Sequence, residues 1–218
     1  MLGIGVYLKK MSQNLTGIKK PVRTKSGVTP LTVVCKPYAC PHGRCTYCPG
    51  GVKDGTPQSY TKQSPAIMRA SKLLYDPFRQ VQTRLNAFKN MGHPTSKVEI
   101  IYLGGTFLAY PVDYQYSFSK SVYEGLNGKK SKSLEEAKRI NETSENRCVA
   151  LCVETKPDWA FEEHIDRLLD IGCTRVELGV QLIDDKVYDL TNRGHTVADV
   201  VKSTQLLKDA GFKIGYHI

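Results

Sequence analysis

Acidic residues are absent from the first 53 positions of this 218-residue chain. Nine lysines and arginines fall in the same stretch, which therefore carries nearly all of the net charge of +10. We interpret residues 1–25 as a basic leader that offers a surface to a polyanion, because clustered positive charge is typical of nucleic-acid binding. The alternative is a solvated leader, since no aromatic residue lies between Lys9 and Tyr38.

The sequence also has no long apolar segment near its start. The eight residues before Lys9 are too few to span a bilayer, and they lack the leading positive charge and the small-residue cleavage site of a signal peptide. We therefore predict a cytoplasmic protein with no membrane partner. With 40% hydrophobic and 24% charged residues, the chain can bury a core as one domain or as part of a larger one.

Cysteine occurs in an odd number, seven, and four of these residues lie within positions 35–48, CKPYACPHGRCTYC. In a reducing compartment such thiols are better explained as metal ligands, reactive groups or packed side chains than as disulfides. The chain has no second CxxC hook, which disfavours a structural zinc site. Proline, glycine and charge make this segment a poor core. An iron-sulfur cluster is the leading interpretation, with zinc and packed cysteines as alternatives.

Apolar, β-branched segments alternate with segments of helical period along the rest of the chain. The predicted strands are residues 31–35, 97–105, 147–155, 174–181 and 212–218. The predicted helices are residues 64–92, 111–128, 158–172 and 196–211, and each ends on a glycine. Residues 127–146 are predicted to be an exposed polar insertion. Strands that are apolar throughout indicate burial on both faces, hence an α/β fold with a parallel sheet, either doubly wound or rolled into a barrel.

Ligands in parallel α/β folds bind at the carboxyl ends of the strands. The cysteine segment follows the first predicted strand, and residues 104–106, 154–158 and 179–181 lie at the ends of the next three. Three cysteine ligands on a four-iron cluster would leave one iron open to a small molecule, and a glycine pair would let the backbone approach that molecule closely. The cysteines are therefore predicted to lie on the functional edge of the sheet.

Several motifs in order resemble one family. They are CKPYACPHGRCTYCPGG, QSYT, MRA, YDP, GGTF, ETKPD, GCTRVELGVQ and TNRGHTV. Together they resemble the catalytic subunits of Elongator, which are radical S-adenosylmethionine (SAM) enzymes that carboxymethylate the wobble uridine of tRNA. The resemblance runs from about Arg23 to the last residue. The four residues between Cys40 and Cys45 depart from the CxxxCxxC spacing that is common among radical SAM enzymes.

This resemblance implies a partial (β/α)6-type radical SAM barrel over residues 26–218. The chain stops at Ile218 inside the predicted fifth strand, so we expect a barrel truncated there and without the acetyltransferase-like domain of the family. Activity of these residues alone is therefore in question.

The resemblance also implies roles for individual residues. Cys40, Cys45 and Cys48 match the three cluster ligands, whereas Cys35 matches a cysteine that is not a ligand. Residues implied to contact SAM or substrate are Tyr47, Gly104, Gly105, Thr106, Glu154 and Gln181. The alternatives are a packed loop aromatic for Tyr47, a tight turn for the glycines, and loop hydrogen bonds for Glu154 and Gln181.

Further residues are assigned with similar alternatives. Lys97 matches a lysine associated with acetyl-CoA and is the candidate catalytic residue; otherwise it is a solvated lysine at a strand start. Arg193 and His195 precede a helix, where they and its free N–H groups could contact a phosphate or the cofactor. Cys148 and Cys152 are predicted to share one face of a strand, and with Cys173 to belong to the core.

The cofactors implied are a 4Fe-4S cluster and SAM, with acetyl-CoA as co-substrate and tRNA as substrate. The reduced cluster would cleave SAM to a 5′-deoxyadenosyl radical, which would activate acetyl-CoA for addition to C5 of the wobble uridine. Implied protein partners are other Elongator subunits or a second copy of the chain, and no motif identifies the electron donor. The competing hypothesis is a non-catalytic RNA-binding module whose cysteine segment holds zinc or a cluster for structural purposes only.

Overall fold

The computed structural model describes residues 24–218 and contains a five-stranded parallel sheet in the order β1-β2-β3-β4-β5. The strands are β1 Thr29–Val34, β2 Lys97–Leu103, β3 Arg147–Thr155, β4 Arg175–Leu178 and β5 Lys213–Tyr216. A doubly wound sheet reverses its strand order at a switch point, whereas this order never reverses. The predicted partial barrel is therefore confirmed. Most of the basic leader lies outside the described residues.

Seven α-helices connect and follow these strands in the described part of the chain. They are α1 Pro65–Lys72, α2 Pro77–Asn90, α3 Val112–Asn127, α4 Leu134–Asn141, α5 Glu162–Asp170, α6 Asp185–Leu190 and α7 Val197–Asp209. The predicted terminal glycines 92, 128, 172 and 211 have φ angles of 74°, 69°, 80° and 87°, the left-handed conformation expected just after a helix. None of the helices in residues 24–218 combines the length and apolar character that crossing a bilayer requires.

The single helix predicted for residues 64–92 is wrong, because α1 and α2 are separate. Leu74 and Tyr75 have φ angles of 55° and 57°, which end α1 in a left-handed turn. Asp76 then caps α2 by accepting a hydrogen bond from the Arg79 N–H at 2.8 Å. Pro77 occupies the first turn of α2, where its missing N–H costs nothing but prevents continuation of α1.

The predicted exposed insertion at residues 127–146 is also wrong in part, because it contains α4. Leu134, Ala137 and Asn141 of α4 are buried. Spacings of three and four residues place these side chains on one helix face. The Asn141 side chain accepts a hydrogen bond from the Cys148 N–H at 2.7 Å and so fixes the start of β3.

The two faces of the sheet differ in polarity, contrary to the prediction that both are apolar. One face packs against the helices through a core that includes Leu31, Ile100, Leu151 and Val176. The opposite face carries Glu99, Glu154, Arg175 and Glu177. On this inner face the Arg175 guanidinium lies 3.4 Å from the Glu99 carboxylate and 2.9 Å from that of Glu177. The inside of the partial barrel is therefore a charged surface.

Cys148 and Cys152 do not share a face, although they lie four positions apart on β3. The register between β2 and β3 shifts at Val98/Glu99, which pair with Cys148 and Ala150 and leave Val149 unpaired. Because the bulge adds one residue to β3, the side chains after it lie on the opposite face from the one that strict alternation would give. Cys148 packs against the helix-side core, while Cys152 accepts a hydrogen bond from the inner-face Arg175 at 3.3 Å.

Candidate active site

The carboxyl ends of the strands surround a cavity of about 280 Å³. Three of the residues that line it are Cys40, Cys45 and Cys48, from the loop that follows β1. Six further predicted site residues line the same cavity: Tyr47, Gly105, Thr106, Glu154, Gln181 and Arg193. The structure thus brings together nine of the twelve residues singled out from the sequence. Gly104, His195 and Lys97 do not line it.

Each of the three lining cysteines has a different polar neighbour. The Cys40 sulfur lies 3.8 Å from the Thr106 hydroxyl, and burial raises the pKa of this thiol. The Cys48 sulfur accepts a hydrogen bond from the Ser59 N–H at 3.4 Å. The Cys45 sulfur lies 3.4 Å from Nε2 of His42 and 3.7 Å from a guanidinium nitrogen of Arg193. Donors of this kind stabilise thiolates, which are the form that binds metal.

The spacing of the sulfurs bears on which metal group they could hold. Among residues 24–218, the group of three potential ligands whose donor atoms all lie within 4.8 Å of one another is Glu154, Glu177 and His217, not the cysteines. A single tetrahedral zinc ion with Zn–S bonds of about 2.3 Å would draw its sulfurs closer than this. Three sulfurs spread around a cavity suit ligation at separate corners of a polynuclear cluster, so these residues fit an iron-sulfur group better than zinc.

Cys35 differs from the other three cysteines of its segment. Its side chain is fully buried in the core. Burial, the largest cause, raises the pKa of the Cys35 thiol well above its usual value. A Cβ atom on Gly104 would lie 3.0 Å from the Cys35 Cβ and 3.1 Å from its sulfur. Gly104 therefore makes room for Cys35 to pack, whereas Gly105, at φ 79°, faces the cavity.

Residues 191–195 (TNRGH), between α6 and α7, contact the cysteine loop; we call this segment the clasp. The Thr46 N–H donates to the Thr191 carbonyl at 3.0 Å. The Asn192 amide donates to the Arg44 carbonyl at 3.1 Å. Gly194 has φ 77°, and a Cβ there would lie 2.6 Å from the Cβ of His42. Only glycine fits this left-handed, crowded position without displacing the loop.

That Arg193 and His195 of the clasp contact a phosphate or the cofactor stays a prediction, and the two side chains have different surroundings. Arg193 lines the cavity, but its guanidinium also donates to the Gly179 carbonyl. His195 is buried beside the Tyr188 ring, with a centroid separation of 4.5 Å. The N–H groups at the start of α7 are partly occupied, because the Val197 N–H donates to Asp185 at 2.7 Å and the Asp199 N–H donates to Thr196 at 3.2 Å.

Buried charge lies behind the cysteine loop. The Lys156 side chain is 2% exposed and its ammonium lies 3.0 Å from Oδ2 of Asp158. The same ammonium donates to Nδ1 of His42 at 3.0 Å. Burial, together with Lys156 and Arg193, lowers the pKa of His42 to about 4, so this imidazole is neutral near pH 7 and can accept that hydrogen bond. Burial also lowers the pKa of His195, to about 3.

Glu154 brings a carboxyl group to the cavity from the end of β3. The Tyr60 hydroxyl lies 2.8 and 2.7 Å from its two oxygens and donates to them. Burial raises the pKa of Glu154 to about 7, an effect that the Tyr60 hydrogen bond and the nearby His217 partly offset. A half-protonated carboxyl group at neutral pH can donate a hydrogen bond to a ligand oxygen as well as accept one.

Gln181 and Tyr47 complete the predicted lining. Gln181 has a φ of 71°, unusual for a residue with a side chain, and its N–H donates to the His217 carbonyl at 2.6 Å. It therefore links the end of β4 to the end of β5 in addition to facing the cavity. The Tyr47 ring is 47% exposed, which leaves surface for a planar ligand to stack on.

Lys97 lies apart from the cavity. It is the first residue of β2, exposed, and pairs in register with Arg147 at the start of β3. The cavity is at the other end of these strands, about 20 Å away at about 3.3 Å per residue. The structure does not place Lys97 among the residues that could contact a ligand in the cavity.

Sequence reasoning missed several residues of the site, although their motifs were noticed. Tyr60 belongs to QSYT and Lys156 and Asp158 to ETKPD, the strings that carried the family resemblance. His42 lies inside the cysteine segment itself. The position of Lys156 directly after a strand end was the available signal, since side chains there face the ligand edge of the sheet.

The fold and the cysteine loop define a class of protein, which comparison with known proteins establishes. The model of the Radical SAM superfamily matches residues 36–218, and the chain belongs to this superfamily. It is 50% identical over 203 residues to the tRNA uridine(34) acetyltransferase of Methanocaldococcus jannaschii, covering 92% of this chain and 38% of that protein. It is 53% identical over 200 residues to the protein of the same name from Dehalococcoides mccartyi, covering 92% of this chain and 43% of that protein.

A solved structure supports the same relationship. The archaeal Elp3 of Methanocaldococcus infernus, solved with an N-terminus deletion, superposes with a TM-score of 0.70 at 41% identity, over 88% of this chain and 37% of that one. Elongator complex protein 3 of Schizosaccharomyces pombe is 42% identical over 207 residues. The chain thus spans 38% to 43% of the length of the curated relatives described here.

Proposed function

We propose that this chain is the radical SAM part of a tRNA-modifying enzyme that carboxymethylates C5 of the wobble uridine, with acetyl-CoA as co-substrate. The observation that carries the proposal is the convergence of Cys40, Cys45 and Cys48 on one cavity at the carboxyl ends of the strands. The names of the relatives, tRNA uridine(34) acetyltransferase and Elongator complex protein 3, support the substrate. Residues 26–218 would form the radical SAM domain and residues 1–25 the basic leader.

Cys40, Cys45 and Cys48 would hold the 4Fe-4S cluster through their thiolates. When bound, such a cluster would supply one electron for the reductive cleavage of SAM. The chain's own contribution is to orient the three sulfurs. Thr106 does so at Cys40, the Ser59 N–H at Cys48, and Arg193 with His42 at Cys45.

The remaining lining residues would hold SAM beside the cluster. Tyr47 presents an exposed ring face for the adenine, and Gly105 and Thr106 present backbone and a hydroxyl close to the cysteine loop. Glu154, oriented by Tyr60, would exchange hydrogen bonds with the ribose hydroxyls, as would Gln181. Gly104 stays in the proposal as the residue that lets the turn pass close to Cys35.

The substrate and partner assignments rest on the relatives and on charge. A wobble base must leave its stack to be reached, which suits a single-stranded anticodon loop held by phosphate contacts. The basic leader is the proposed phosphate surface. Lys97 remains the candidate acetyl-CoA residue, at a distance from the cavity that only an extended coenzyme could bridge. We propose a cytoplasmic location, and other Elongator subunits or a second copy of the chain as protein partners.

Cleavage of SAM is the most direct test of this function. Anaerobically reconstituted protein should convert SAM to 5′-deoxyadenosine and methionine when dithionite is present, and chromatography with mass spectrometry would measure both products. Cys45→Ala should abolish the reaction and Cys35→Ala should retain it. With acetyl-CoA and tRNA added, the mass of the modified uridine would identify the carboxymethyl product. A reconstituted protein that retains its cluster but leaves SAM intact would refute the proposal.

A further inference from the structure

Arg193 is a buried cation for which the structure shows no carboxylate partner. This residue is 7% exposed. In residues 24–218 no aspartate or glutamate oxygen lies within 4.0 Å of its guanidinium, which contacts the Gly179 carbonyl, the Cys45 sulfur and the Tyr47 hydroxyl. Its Nε has no hydrogen-bond partner. Burying a charge without a counter-charge is unfavourable, so a negative group is expected close to this guanidinium.

A cysteine that ligates a cluster does so as a thiolate, so Cys45 in its proposed role would supply that charge. Its sulfur lies 3.7 Å from Arg193 and is reached also by His42, which Lys156 holds through a 3.0 Å hydrogen bond. Arg193 thus contacts Cys45 directly, whereas the Lys156 ammonium reaches Cys45 only through His42 and also acts electrostatically on the Cys40 thiol. In residues 24–218, Asp158 is the one carboxylate that forms an ion pair with either cation. Gly179 permits this arrangement, because a Cβ there would lie 2.5 Å from the guanidinium.

The contacts at the other two cysteines are of a different kind. Cys40 has a hydroxyl neighbour and Cys48 a backbone N–H. Neither of these carries a formal charge. Among these three cysteines, direct contact with a cation is therefore confined to Cys45, on the side that the clasp covers, while Lys156 acts on Cys40 at longer range.

We propose that Arg193 is a positioning residue whose fixed positive charge lies beside the Cys45 sulfur and thereby raises the reduction potential of the cluster. The buried Lys156 ammonium adds to this effect. This inference rests on the proposed function, since it requires the cluster. Reduction adds one electron, and therefore one negative charge, to a group that already carries three thiolates. A nearby cation stabilises the more negative state, and net charge and hydrogen bonds to sulfur are established determinants of cluster potentials.

The test is a redox titration of the whole 218-residue chain after anaerobic reconstitution. Dithionite supplies the electron, and electron paramagnetic resonance of the reduced cluster gives its fraction. Arg193→Gln should lower the reduced-to-oxidised ratio at a fixed solution potential at least tenfold, which for a one-electron couple is 59 mV. Arg193→Lys, which keeps a charge, should lie within that interval of the wild type. Arg139→Gln, an exposed residue of α4, is the matched control and should have no effect.

Each outcome decides the question. A lower cluster reduction potential in Arg193→Gln, with unchanged iron and sulfide content, supports the inference. An unchanged reduction potential overturns the inference and leaves the proposed function intact. If Arg193→Gln does not retain iron, two other variants decide. The inference then requires that Arg193→Lys keep the wild-type reduction potential and that Lys156→Gln have a lower one. A wild-type reduction potential in Lys156→Gln refutes the inference. A wild-type chain that forms no cluster refutes both proposals.

Discussion

Replacing Glu154 with glutamine should make the protein more stable at neutral pH and less dependent on pH. Glu154 is 7% exposed, and burial raises its pKa from an ordinary value of 4.5 to about 7. Glutamine keeps an oxygen that can accept the Tyr60 hydrogen bond, so the substitution removes the titration and preserves the main contact. The other titratable groups that interact with this position are Tyr60, Glu177, His217, Cys35 and Cys152.

The sign and size of the effect follow from linkage. The pKa of Glu154 is higher in the folded protein than in the unfolded chain, so the folded state binds the proton more tightly. Below about pH 4.5 both states are protonated and the group costs nothing. Between pH 4.5 and about 7 the unfolded chain ionises first, and stability falls as pH rises. Above that range the full cost is about 3 kcal/mol, since one pKa unit corresponds to about 1.4 kcal/mol.

Urea denaturation between pH 4 and pH 8 would measure this cost. The free energy of unfolding of Glu154→Gln, minus that of the wild type, should increase across the window by about 3 kcal/mol. Glu142→Gln, an exposed carboxylate beyond α4, is the control and should give a flat difference. Parallel curves for wild type and Glu154→Gln would show that Glu154 ionises normally and would refute the account of this part of the cavity.

Three other predictions address the cysteine loop and the leader. Alanine at any one of the three proposed ligands should abolish iron retention, whereas Cys35→Ala should keep most of the iron; equal loss from all four would contradict the three-ligand assignment. Gly194→Ala should lower the free energy of unfolding by about 1–2 kcal/mol through its left-handed backbone alone, and should also displace His42. Calorimetry and iron analysis would detect these effects, and a fully stable variant with full iron content would show that the clasp is dispensable. A chain that starts at Pro21 loses four lysines, so the slope of log tRNA affinity against log salt should flatten by up to about three units; an unchanged slope would place the RNA surface elsewhere.

The sequence predicted those elements that depend on local pattern. Strand positions, the helix-terminal glycines and the location of the cysteine loop at the sheet edge follow from periodicity and from the general placement of ligands in parallel sheets. The short helix α6 was missed because six residues are too few to show a helical period, although Asp184 caps it at 2.9 Å.

The features that the sequence did not reveal depend on contacts between distant segments. The bulge at Val149 is defined only by pairing with β2, and it reverses the face on which Cys152 lies. The clasp meets the cysteine loop across about 150 positions, and nothing local in the sequence marks Arg193 as a neighbour of Cys45. The division between α1 and α2 is different, because it could have been predicted from the sequence. Pro77 is a local signal for a helix boundary, and its effect was stronger than that of the helical period on either side of it.

Metal analysis of the anaerobically reconstituted chain tests the central claim most directly. The account predicts a brown protein with about four irons and four sulfides per chain, all lost in Cys45→Ala. Stoichiometric zinc without iron under the same conditions would contradict it, and would favour an RNA-binding module whose cysteine loop is held by a structural metal.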